Sequence, residues 1–131
     1  IDDARREKIQ MSVDLNAASL KFISDVDLCT IFGNALDNAI EACKKKEETE
    51  KRFIVVSAQH LAGCIVINIA NSYAGRIKMS NGLPVTSKED AAFHGLGLYS
   101  IKKTLEKYNS QMVMDTKSPE VFRLTFVIPI P

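Results

Sequence analysis

No Cys-x-x-Cys pair occurs in this sequence, and its cysteines are odd in number: Cys29, Cys43 and Cys64. That favours buried core thiols in a reducing compartment over disulfides or a zinc site. Neither charge sign is in excess. The formal net charge is +1, so no basic footprint points to nucleic acid. No apolar run approaches the roughly 20 residues that a spanning helix requires. No signal peptide and no initiating Met stand at the front, and Ile1-Asp2-Asp3-Ala4 reads as a cut through something longer. Residues 1–8 are expected to be the tail of an upstream helix or linker. What is present is ordinary in bulk: 131 residues, 46% hydrophobic and 25% charged, suit one globular domain over residues 9–131.

One stretch is not ordinary. Gly33-Asn34-Ala35-Leu36-Asp37-Asn38-Ala39-Ile40-Glu41-Ala42-Cys43 has helical periodicity, with Leu28, Ile31, Phe32, Ala35, Ala39, Ile40 and Cys43 forming an apolar side. On such a helix Asn34, Asp37, Asn38 and Glu41 share the other side. A solvated helix face normally mixes basic residues with acids. This one holds only acids and amides until Lys44, a stripe of oxygens that invites a cation from outside. The dense run Lys44-Lys45-Lys46-Glu47-Glu48-Thr49-Glu50-Lys51-Arg52 is mixed in sign and reads as a solvated helix end and loop, with a phosphate-binding patch as the other reading.

Alternation of Ile9, Met11, Val13 and Leu15 with polar residues predicts a first half-buried strand. Asp25 or Asp27 is placed to cap a helix over residues 28–46. Residues 53–59 and 64–70 read as a hairpin turning at Leu61-Ala62-Gly63, with His60 solvated or at a sheet edge. Residues 72–93 carry little periodicity, and so long a loop in a compact domain is usually functional, often a lid. A second helix is predicted from His94-Gly95-Leu96-Gly97 to Asn109, with Leu98, Ile101, Leu105 and Tyr108 as its apolar seam. Two strands, 111–115 and 121–128, close the chain around a turn at Ser118-Pro119. The order is strand, helix, strands, lid, helix, strands: an α+β, two-layer sandwich with one mixed sheet and helices on one face.

Glycines opening a helix let backbone N–H groups approach a ligand, and the positive end of the helix dipole suits phosphate. Gly95-Leu96-Gly97 is not a P-loop, because no Gly-Lys-Ser/Thr follows, and Ser100 stands where a dinucleotide fingerprint has its third glycine. Taken alone, it is equally a helix entry needing flexible backbone. Joined to the first helix it points further. The Asn38 oxygen suits a hard cation, and Mg2+ prefers one or two protein oxygens plus waters and substrate phosphates. Asn34 and Asp37 are placed to hold metal-bound waters, and the combination indicates a metal–nucleoside triphosphate. An isolated Asn-x-x-x-Asn, by contrast, mostly bonds within the protein.

Asn34-Ala35-Leu36-Asp37-Asn38-Ala39-Ile40-Glu41-Ala42 resembles the N-box of the GHKL ATPase superfamily, which includes histidine kinases and type II topoisomerases. His94-Gly95-Leu96-Gly97-Leu98 resembles its second glycine box, and Leu124-Thr125-Phe126-Val127-Ile128-Pro129 its closing strand. The combination is most similar to the catalytic domain of peptide-pheromone receptor histidine kinases, the AgrC-like branch. The resemblance implies that Asn38 chelates Mg2+, that Asn34 helps position the ion or its waters, and that Asn34 and Asn38 form the catalytic pair. It implies an ATP-binding set of Asn34, Asp37, Asn38, Asn71, Lys88, His94, Gly95, Leu96, Gly97, Leu98 and Thr125, with ATP and Mg2+ as cofactors. Relatives use an Asp-x-Gly-x-Gly box for the adenine amino group. Here Asn71-Ser72-Tyr73-Ala74-Gly75 stands in its place, so a neutral carbonyl would accept that hydrogen bond and Tyr73 replaces a glycine.

Hydrolysing relatives carry a Glu four residues before the metal Asn, where this chain has Asn34, which cannot abstract a proton. A phosphoryl transition state is loose, and a neutral imidazole already carries its lone pair, so a kinase can dispense with that base. Where many kinases have Lys, this chain has Glu41, left open between metal water and solvent. His94 divides evenly between phosphate contact and water. Neither histidine is followed by a long helical pair, so the phosphoacceptor is expected on an upstream dimerisation domain. The expected whole is the cytoplasmic part of a bacterial membrane receptor working with a response regulator. The alternatives are a degenerate nucleotide-binding or partner-docking module and a serine-directed or hydrolysing relative.

Overall fold

A computed structural model describes residues 8–15, 20–46, 51–73, 78–80, 83–85, 96–117 and 120–131. Its elements are β1 (Gln10–Asp14), α1 (Asp25–Lys44), β2 (Phe53–Leu61), β3 (Cys64–Ser72), β4 (Lys78–Ser80), β5 (Leu83–Val85), α2 (Leu96–Glu106), β6 (Gln111–Asp115) and β7 (Val121–Pro129). The main sheet has five strands in the order β1-β2-β3-β7-β6. Only β1–β2 is parallel, which makes the sheet mixed, and both helices pack on one of its faces. The expected two-layer α+β architecture is the observed one.

Strand alternation builds that face. Ile54, Val56 and Ala58 of β2, Ile65, Ile67 and Ile69 of β3, and Phe122, Leu124, Phe126 and Ile128 of β7 are all buried, each one residue removed from an outward neighbour. Ile31, Ala35, Ala39 and Cys43 repeat every four residues and seat α1 on them. Leu98, Ile101 and Leu105 do the same for α2. The β2–β3 turn is the two-residue Ala62-Gly63, both at positive φ (51° and 78°), which matches the strands' twist. α2 ends in a left-handed Asn109 (φ 54°), with Ser110 N–H donating to Leu105 and Asn109 N–H to Glu106.

Several expectations change. The cap of α1 is Ser24, whose hydroxyl accepts from Asp27 N–H at 3.2 Å, rather than either aspartate. Asp25 falls in the first turn, and Asp27 turns inward. The run expected to be solvated holds two buried cations, Lys46 and Arg52. Arg52 Nη2 donates to the carbonyls of Lys46 (2.6 Å) and Lys44 (3.3 Å), satisfying the last turn of α1. Cys43 is the core thiol that was expected, pushed up from its usual pKa by burial. Cys64 is half-buried and Cys29 exposed, because Cys29 lies off the packed side of α1. Val13 lies on the helix side of β1, opposite Val56, yet is half exposed, since β1 is an edge strand. The segment expected without structure contains the β4–β5 pair, and Ser118-Pro119 lies outside the described residues.

Asp27 joins the two helices. The Tyr108 hydroxyl, just beyond α2, donates to its carboxylate and accepts from Ser24 N–H at 3.2 Å, while Lys107 Nζ lies 3.2 Å away. The Tyr108 bond, opposed by burial and aided by Lys107, holds the Asp27 carboxyl below the usual carboxylate range. A depressed folded-state pKa contributes stability that is present above the unfolded value of about 3.9 and is lost as pH falls through the folded value. Tyr108→Phe is therefore expected to lower stability at pH 7, with the deficit shrinking below pH 4. Urea unfolding of both proteins at pH 7 and pH 3 checks this, and an equal deficit at both would contradict it.

Candidate functional site

The polar stripe of α1 faces away from the sheet, as its spacing requires. Asn34, Asn38 and Glu41 are half-buried and Asp37 is exposed. Asn34 is fixed: its Nδ2 donates to the Thr30 carbonyl one turn back at 2.8 Å, and Thr30 Oγ1 donates in turn to Val26 (3.0 Å). Only the NH2 can donate to a carbonyl, so the amide orientation is settled and Oδ1 is the acceptor, on the side of α2. Glu41 lies 3.6 Å from Lys44 in a surface ion pair.

The start of α2 meets this stripe. A Cβ built on Gly97 would lie 3.3 Å from Asn34 Oδ1, so the glycine of the second motif faces the side chain of the first with room for little more than a hydrogen. α2 begins at Leu96, which puts buried Gly97 inside the first turn rather than ahead of it. Leu98 is a core residue, 1% exposed, so it supports the site from beneath. Lys88, His94 and Gly95 lie outside the described residues, as does the side chain of Leu96.

Asn71 marks the other end. It stands on the helix-side face of β3 in the row Ile54–Asn71–Phe122, an amide 1% exposed in an otherwise apolar row. Its Nδ2 donates to the Ser72 carbonyl at 2.9 Å. That bond pins the amide, with Oδ1 as its acceptor. Cys43 Sγ touches Ser72 Oγ at 3.4 Å, so the C-terminal end of α1 abuts this strand end. Tyr73 is buried in the core, and its N–H donates to the Glu120 carbonyl at 3.0 Å.

Thr125 is not brought to this place. It faces the opposite side of the sheet, where its hydroxyl donates to Asn68 Oδ1 at 2.7 Å. The β7 residue beside Asn71 is Phe122. The signal was in the sequence: Phe122, Leu124, Phe126 and Ile128 are the large apolar members of an alternating strand, so Thr125 has to point away from them. Phe122 and Thr30 are the site neighbours that sequence reasoning missed. Thr30 acts through its backbone, which no side-chain pattern announces.

Among the described residues no group of three or more His, Cys, Asp or Glu could hold a metal ion. The available oxygens are amide carbonyls beside isolated carboxylates, a donor set that suits Mg2+ carried in with phosphate ligands and waters. No helix among the described residues is long and apolar enough to cross a membrane.

The GHKL domain family matches residues 23–129. No curated protein matches. Among solved structures, the nucleotide-free catalytic domain of histidine kinase ThkA superposes with a TM-score of 0.74 at 17% identity, covering 99% of this chain and 86% of that one. Histidine kinase AdeS of Acinetobacter baumannii gives 0.70 at 15% identity, over 98% of this chain and 58% of that one. The mycobacterial sensor histidine kinase MprB gives 0.68 at 17% identity, over 98% and 88%. At such identities the likeness is one of fold.

Proposed function

Because the chain belongs to the GHKL domain family, we propose that it binds Mg2+–ATP and passes the γ-phosphoryl group to a histidine on an upstream dimerisation domain, as the catalytic part of a two-component sensor kinase. The reading extends to the AgrC-like branch of peptide-pheromone receptors, anchored in a bacterial membrane, with a response regulator downstream. The observation that supports it best is the close approach of Gly97 to the Asn34 side chain, which places one residue of each motif side by side. Along α1 the order is then the Cys43–Ser72 contact beside Asn71, next Asn38, then Asn34 against α2. Nine residues of helix, about 14 Å, separate the ends, in the order base, metal, phosphate.

Each residue has a task in this reading. Asn71 Oδ1 accepts the adenine amino group, and Phe122 flanks it. Asn38 Oδ1 holds Mg2+, whose charge offsets that of the phosphates during transfer. Asn34 and Asp37 orient ligand waters, and the first N–H groups of α2 face the phosphate tail. His94 and Gly95 belong to the same set through their motif positions, and Lys88 through the resemblance alone. Asn34 offers no base for water, so transfer to an imidazole outruns hydrolysis.

Mixing the chain with a His-bearing helical dimerisation domain and γ-labelled ATP tests this. Acid-labile label on the histidine is expected; label on serine, or released phosphate alone, would contradict it. A second reading, a degenerate nucleotide-binding or docking module, draws on Tyr73 filling a glycine position. Thermal unfolding separates the two. At a hundredfold excess over Kd, Mg2+–ATP should add about 2.7 kcal/mol of stability, and no shift, together with tight binding of a partner domain, would favour the module.

Asn71 carries its own prediction. With Nδ2 engaged by Ser72, the amide cannot turn to donate to the guanine carbonyl. Asn71→Ala is expected to weaken ATP binding and to erase the preference for ATP over GTP. An unchanged preference in competition binding would remove Asn71 from the site.

A further inference from the structure

We propose that Gly97 is a positioning residue: its missing side chain lets the first turn of α2 pack against the Asn34 amide, and this close approach tunes how near the start of α2 stands to the metal-bearing face of α1. The proposal rests on reading that face as the Mg2+–ATP site.

The backbone does not explain this glycine. Among the described glycines only Gly63 adopts positive φ, so Gly97 has a conformation open to any residue. Space explains it. The three atoms nearest a Cβ at position 97 all belong to Asn34: Oδ1 at 3.3 Å, Cβ at 3.6 Å and Cγ at 3.7 Å. A carbon 3.3 Å from an oxygen is tight enough that something has to give. Asn34 cannot swing aside at no cost, because its Nδ2 is held by the Thr30 carbonyl at 2.8 Å and helix side chains have few allowed rotamers. A methyl group at 97 therefore demands a shift of a few tenths of an ångström, taken either by stretching the Asn34–Thr30 bond or by moving the first turn of α2 and the N–H groups at its start. The second glycine of the motif thus serves helix–helix contact. Gly33 is the contrast: a Cβ there meets nothing within 4 Å, so the same substitution only improves helix propensity.

A double-mutant cycle on this chain tests the inference, using Gly97→Ala, Asn34→Ala, the pair, and Gly33→Ala as control. Melting temperature without ligand and Mg2+–ATP affinity by calorimetry are both read. Gly97→Ala is expected to lose about fivefold in affinity and about 3–5 °C in Tm. In the Asn34→Ala background it should cost nothing further by either measure, while Gly33→Ala should raise Tm. An affinity loss from Gly97→Ala that is equal with and without Asn34 would overturn the proposal and assign the glycine to direct phosphate approach. A Tm loss with unchanged affinity would overturn it too, leaving a packing role only. If even the unaltered chain binds no Mg2+–ATP, the functional reading fails and the positioning role with it, and the Tm cycle alone then shows whether Asn34 is what Gly97 meets.

Discussion

Asn38→Ala is expected to remove the Mg2+-dependent part of ATP affinity while leaving the fold in place. Changes to residues that merely support a metal ligand cost about 10–100-fold in metal affinity, so loss of the ligand itself should cost at least about tenfold. Structure gives no reason for unfolding. Asn38 is half-buried on the outer side of α1, beside the packed Ala39 rather than beneath it. Ala also has the better helix propensity, by several tenths of a kcal/mol, so Tm should hold or rise slightly. Four titrations decide this: both proteins, each with and without Mg2+. Equal affinities in all four would refute the metal assignment.

The second large effect is on stability. Phe126→Ala should cost about 3–5 kcal/mol, a large share of the roughly 5–15 kcal/mol that holds a domain of this kind together. Phe126 is fully buried on the face that both helices cover, in the row Ala58–Ile67–Phe126–Met112. Its neighbour Thr125 gives the matched comparison. Thr125→Val loses one hydrogen bond to Asn68 on the outer face, about 1 kcal/mol, and should leave the preference for adenine untouched. Chemical denaturation measures both. A Thr125 variant that lost ATP selectivity would return that residue to the site.

The contrast between these neighbours shows what was legible in the sequence. Periodicity of four in α1 and of two in β2, β3 and β7 named the core face, because burial has to follow the geometry of each element. The stretches around Asn34 and Gly97 were readable as motifs, and the structure brings these two residues close together. Thr125 obeys strand alternation rather than motif position, which turns it toward Asn68 on the outer face. Arg52 looked solvated because nothing local reveals that a neighbouring helix end needs donors to its carbonyls, and Lys46 because its partner Glu120 lies far along the chain. The Ser24 cap was missed for two nearby aspartates, one of which is drawn inward by Tyr108, more than eighty positions away. Long-range partners of single polar residues are what periodicity does not encode.

The claim on which the rest depends is that Asn38 holds the divalent ion. Mn2+ replaces Mg2+ at oxygen-rich sites and broadens the NMR signals of nearby nuclei. With ATP and trace Mn2+, the side-chain NH2 resonance of Asn38 should broaden first, followed by that of Asn34 and the Gly97 amide. Broadening centred on Asp14 or Asp115, with Asn38 sharp, would contradict the account.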